Sequence, residues 1–152
     1  MTVKKFEHPT RFDTEHRHQF EAKSPSGPHV VVSGSLRPID IIGTNDDTYE
    51  EYEVNMVVGP WWRDVQTCVP TVTVNGFQQQ DWDEVDEAGW IVHDLKWDTV
   101  GGPTGPNVNH ERIRLKFILR VKGERSSVTA ISYYFIARGR RLSVGGLFNP
   151  DP

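Results

Sequence analysis

Apolar and polar residues alternate with a period of two along most of the chain, most strictly between positions 112 and 137. Ile113, Leu115, Phe117, Leu119 and Val121 fall on one face, and Arg112, Arg114, Lys116, Arg120 and Lys122 fall on the other. Gly123-Glu124 supplies a turn, and residues 129–137 return with Ile131, Tyr133, Phe135 and Ala137 in alternate places. Successive strand side chains point to opposite faces of a sheet, so this pattern predicts a long β-hairpin with a core face and a solvated cationic face.

The same reading extends upstream. Residues 15–23 make a first strand with His16, His18, Phe20 and Ala22 on one side, and the Ser24–Pro28 run is turn chemistry. Residues 29–36 return, ending at Arg37-Pro38. Residues 49–58 form a third strand, with Tyr52, Val54, Met56 and Val58 opposite Glu51, Glu53 and Asn55, and Gly59-Pro60 is expected to stop it. Asn75-Gly76 favours a primed turn, so residues 69–79 read as a compact hairpin. Residues 80–89 offer the one place for a short helix. Residues 90–100 form a further strand with Ile91, His93, Leu95 and Trp97 on one face.

Seven to nine short strands without helical periodicity predict an all-β fold, an antiparallel β-sandwich of jelly-roll or Ig-like kind, with a small β-barrel as the alternative. The expected organisation is an N-terminal arm over residues 1–13, a β-sandwich domain over 14–137 and a C-terminal tail over 138–152.

With 152 residues, the chain is long enough for one domain that buries roughly 70% of its unfolded surface. It therefore needs neither metal nor disulfide to fold. A quarter of the residues are charged and 11% are aromatic, which excludes global disorder. The lone Cys68 sits among Val69, Val72 and Val74 and reads as a small core hydrophobe. The amino terminus has no apolar run of signal-peptide type, and no stretch reaches the ~18 apolar residues of a membrane span, so a cytoplasmic or virion location and no membrane contact are expected.

Charge changes this picture most. Residues 40–98 hold 14 acidic and two basic side chains, whereas residues 99–152 hold three acidic and nine basic ones. Either neighbouring strands of opposite sign neutralise one another within the domain, or a dipolar surface docks on a neighbouring copy. Nucleic acid is not an expected partner, because the isoelectric point is about 5.8 and the basic row has no interleaved exposed aromatics.

Candidate chemistry is sparse. His16-x-His18-x-x-Glu21 distantly resembles the first cupin motif, and that resemblance would imply a cupin-like metal-dependent enzyme holding its metal on His16 and His18. Two departures go with it. The motif's spaced Gly is missing, and Pro103-Thr104-Gly105 lies too far from His110 for the second motif. The acidic residues between Asp81 and Glu87 lack the spacing of a calcium loop. No nucleophile elbow and no phosphate-cradling loop is present.

Trp61, Trp62 and Trp82 fall in or beside expected loops, with Gln79, Asp81 and Asp83 as hydroxyl acceptors. They compose a candidate carbohydrate or small-ligand site. The favoured function is a non-catalytic assembly or binding module without a cofactor. Arg112, Arg114, Lys116, Arg120, Lys122, Leu147 and Phe148 would contact another copy or a partner protein.

Overall fold

The computed structural model describes residues 4–6, 11–13, 15–25, 27–39, 42–44, 49–78, 89–101, 110–123 and 125–141. Every element among them is a strand: β1 (Lys4–Phe6), β2 (His16–Ser24), β3 (Gly27–Leu36), β4 (Gly43–Thr44), β5 (Glu50–Gln78), β6 (Gly89–Gly101), β7 (Glu111–Lys122) and β8 (Ser126–Arg141). They form one open sheet in the order β2-β3-β8-β5-β7-β6, with β4 beside β8. Its pairings are antiparallel except that of the short β1, which runs parallel to the start of β5.

Both strands expected over residues 112–137 are present, but they do not form the expected hairpin, because β5 lies between them in the sheet. β7 pairs with β5 and β6, and β8 pairs with β3 and β5. Ile113, Leu115, Leu119, Val121, Ile131, Phe135 and Ala137 are completely buried, and the basic residues of β7 lie on the opposite face. The turn between the arms uses Gly123 at φ 110° and Arg125 at φ 57°, closed by the Ser126 N–H donating to the Gly123 carbonyl at 3.2 Å.

Two expected strand ends are not ends. β5 does not stop at Gly59-Pro60 but continues to Gln78. Gly59 takes φ 79°, a left-handed conformation that glycine adopts without a Cβ penalty, and the register shifts between Val58 and Trp62. The strand bends there and changes partner, from β7 for residues 50–62 to β8 for residues 62–78. Nor does Asn75-Gly76 turn the chain. Residues 69–75 pair continuously with Ile136 to Ala130 on β8, and Asn75/Gly76 is only a register shift. Gly76 is needed for close approach, since a Cβ there would lie 2.1 Å from the indole of Trp90. The ladder with β8 overrides the local turn preference.

A third correction concerns β6. Ile91 was expected to share a face with Leu95 and Trp97, yet Ile91 is 45% exposed while Trp90, Val92, Leu95 and Trp97 pack against the core. Asp94 at φ 56° inserts one residue between His93 and Lys96, and a single inserted residue exchanges the two faces of a strand. The helix expected over residues 80–89 lies outside the described residues.

One core serves both halves of the sheet. Val54, Met56, Val58 and Trp62 from β5 meet Ile113, Leu115, Phe117 and Leu119 from β7 and Val32, Ile131, Tyr133 and Phe135 from β3 and β8. Cys68 belongs to this core at 7% exposure, and burial pushes its thiol up to about 12, so it is an inert hydrophobe as its neighbours suggested.

The bend depends on Gly59, because a Cβ there would stand 2.7 Å from the Phe135 ring. Gly59→Ala is expected to lower stability by about 2–4 kcal/mol through backbone strain and overpacking. Gly89→Ala, with no atom within 4 Å of the new Cβ, should change it by less than ~0.5 kcal/mol. Urea denaturation of the two variants checks the contrast.

Candidate functional site

The bend in β5 interrupts the ladder, and its free backbone groups are taken up by side chains from distant parts of the chain. Glu15, at the entry to β2, accepts from the Gly59 N–H at 2.9 Å through Oε1, while its Oε2 accepts from Arg112 at 2.8 Å and Arg17 at 3.5 Å. The Gly59 carbonyl accepts from Arg17 at 2.6 Å and from Arg112 at 2.9 Å. Glu111 accepts from the Val65 N–H at 2.9 Å. The side chains of Glu15 and Arg17 are only 11% and 8% exposed. Beside them the Arg112 guanidinium lies 5.6 Å from the centre of the Trp61 ring, whose edge meets His110 at 4.6 Å. This is a clamp: both oxygens of the carboxylate accept hydrogen bonds from groups that the bend and the two neighbouring strands bring together.

Each member of the basic row on β7 has a partner in its own chain. Arg112 holds Glu15, and Arg114 and Lys116 converge on Asp98 of β6 at 2.6 and 3.0 Å. Arg120 lies 3.8 Å from Glu51 of β5, and Lys122 stands over the Tyr49 ring. The acidic central segment and the basic carboxyl-terminal one are thus interleaved as neighbouring strands. Hydrogen bonds from Arg114, followed by those from Lys116, hold the Asp98 carboxyl down at about 2 against the opposing effect of burial. Leu147 and Phe148 lie outside the described residues.

Of the proposed stacking rings, Trp62 is a core residue with no exposure and Trp61 is half-buried under Arg112. Adjacent strand residues face opposite ways, so the two rings cannot form one platform. Trp82, Gln79, Asp81 and Asp83 lie outside the described residues. His16 and His18 share the exposed face of β2, and no group of three metal-ligating side chains occurs among the described residues. His16 instead lines a polar cleft of about 360 Å³ with Asp13, Ser35 and Arg37, in which Arg37 is already paired with Asp13 at 3.2 Å.

Sequence reasoning did not bring out a different feature, the outer face of β2, β3, β8 and β5. Three successive cross-strand rows there carry no acid, lysine or arginine. They are Phe20–Val31–Ile136–Val69, His18–Ser33–Tyr134–Thr71 and His16–Ser35–Ser132–Thr73. Directly paired residues share a face. Phe20 and Val69, at the two ends of the apolar row, are 61% and 68% exposed, and Tyr134 is 42% exposed. The uncharged run of residues 65–80 is its sequence signal, but the other three strands supply the rest through pairing alone. No protein-family model, curated protein or solved structure matches this chain.

Glu15→Ala would remove the carboxylate partner of two guanidinium groups and leave the Gly59 amide without its acceptor, so it should cost about 3 kcal/mol in urea denaturation. Arg37→Ala, which removes an exposed pair, should cost less than ~1 kcal/mol.

Asp98 predicts a pH signature. A carboxyl depressed in the folded state contributes stability above its unfolded pKa of 3.8, and that contribution is lost as pH falls through about 2. The stability gap between wild type and Asp98→Asn should therefore be constant above pH ~4 and shrink towards pH ~2. Denaturation midpoints across that range test it.

Proposed function

We propose that this chain is a non-catalytic β-sandwich assembly module that binds protein through the uncharged outer face of β2, β3, β8 and β5. The observation that carries this reading is the contrast between the two outer faces. On β5, β7 and β6, Arg114 and Lys116 meet Asp98, and Arg120 lies beside Glu51, within the chain. On the other half, Phe20, Val69 and Tyr134 stand exposed around a buried Val31, in three rows that carry no acid, lysine or arginine.

Depletion of charge together with exposed aromatics characterises the centre of protein interfaces, whereas a solvated sheet face ordinarily carries Lys and Glu. A surface four strands wide suits another protein better than a small ligand, which needs concavity. The basic row, already matched inside the chain, adds little to such a contact.

Apolar contact is not screened by salt. Self-association is therefore expected to appear by about 100 μM in sedimentation and to persist from low salt to ~0.5 M NaCl. Val69→Glu, which would place an unpaired carboxylate in the contact, should weaken it at least ~100-fold while leaving the denaturation midpoint near wild type. A monomer at every concentration and salt level, or association abolished by salt alone, would count against the reading.

A further inference from the structure

The uncharged character of the outer face depends on two imidazoles. Among the side chains of its three cross-strand rows, only His16 and His18 are of a type whose charge ordinarily changes between about pH 5 and 8. Both are exposed and lie two residues apart on β2, so they project to the same side. The clamp fixes which side that is. Glu15 and Arg17 are held against Gly59 on the inner side, which leaves His16 and the next alternate residue, His18, pointing outward.

The two histidines differ in what surrounds them. His16 shares its polar cleft with Asp13, so a carboxylate stands near when that ring takes a proton, although Arg37 already pairs with it. His18 has no acid beside it. Ser33 lies directly across and Tyr134 beyond it, with Phe20 next along the strand and Val31 and Ser35 on the diagonals. β2 ends the sheet, so no described strand flanks His18 on the other side. On this face the first formal charges are the Asp13–Arg37 pair beyond His16 and, in the other direction, Arg138, two rows past Tyr134. His29, opposite Ala22, is the remaining titratable group and also lies two rows from His18.

Resting on the assembly reading above, we infer that His18 makes the contact through this face pH-dependent, holding it while the imidazole is neutral and releasing it when the imidazole is protonated. In the free chain a protonated His18 stays hydrated, and the fold is unaffected. Covered beside Phe20, it is a cation with no acid on its own face, and the same face of a second copy has none to offer. Taking an unpaired charge out of water opposes the contact. Between two copies meeting through one face, the ring enters twice. With the ordinary histidine midpoint near 6.5, each ring that has to be neutral lowers affinity about tenfold from pH ~7.5 to pH ~5.5, so the pair lowers it about 100-fold. The global charge acts in the opposite sense. A net charge of −4 at pH 7 fades towards the isoelectric point of about 5.8, which by itself favours association.

Sedimentation of the full chain over about 10–500 μM, at pH ~7.5 and pH ~5.5, tests this. The wild type should dissociate on acidification, its Kd rising about 100-fold while its circular dichroism stays unchanged. His18→Gln, whose side chain is neutral at every pH, should associate with a Kd equal within ~3-fold at the two values. His16→Gln should keep the acid dissociation, because Asp13 stands beside the proton taken by His16. Association of equal strength at both pH values would overturn the histidine switch and leave the assembly reading standing. Acid dissociation that persists in His18→Gln, or vanishes in His16→Gln, would overturn the assignment to His18. A monomer throughout would overturn the switch together with the reading it rests on.

Discussion

The fold depends on satisfying the backbone of Gly59. A strand of 29 residues cannot stay in one ladder on a domain of this size, so β5 has to bend, and the bend takes its peptide groups out of register. A buried amide or carbonyl without a partner costs as much as a lost hydrogen bond. Glu15, Arg17 and Arg112 take those roles, with the one carboxylate set between the two guanidinium groups. The clamp sits where β2 enters, where β5 changes partner and where β7 begins, and thereby ties the two halves of the sheet to one core. A buried ion network of this kind adds little net stability compared with an apolar substitute, but it disfavours other positions for the bend.

The charge segregation along the chain acquires a simple explanation from the topology. Acidic β5 and β6 flank basic β7, so the outward side chains of one half of the sheet find opposite charges on neighbouring strands. Exposed pairs of this kind contribute little individually, but they keep that face wet and unreceptive to other sheets. The other half carries three outer rows without an acid, lysine or arginine, and β5 contributes to both halves.

The period-two pattern alone carried the all-β class, the strand positions and the identity of most of the core. Tyr52, Val54, Met56, Val58, Ile113, Leu115, Phe117, Leu119, Ile131 and Phe135 are buried where alternation put them. These assignments are legible because alternation depends only on the geometry of an extended chain. The burial of Cys68 was legible for a related reason, since Val72 and Val74, on its side of the strand, also pack against the core.

What alternation cannot show is a residue that breaks it for the sake of a distant partner. Gly59-Pro60 and Asn75-Gly76 look like turns, and only the pairing with β7 and β8 makes them a bend and a bulge. Asp94 exchanges the faces of β6 because the register with β7 requires it, and Trp62 becomes core because the bend points it inward. The clamp of Glu15 on Arg112, 97 positions apart, leaves no local signal, and of the face assembled from four strands only the uncharged run of residues 65–80 is visible in the sequence. The chain determined its own strands, because that information is carried by neighbours two residues away. The tertiary structure decided the bend, the clamp and the uncharged face, because each is made of groups that meet only after the strands have paired.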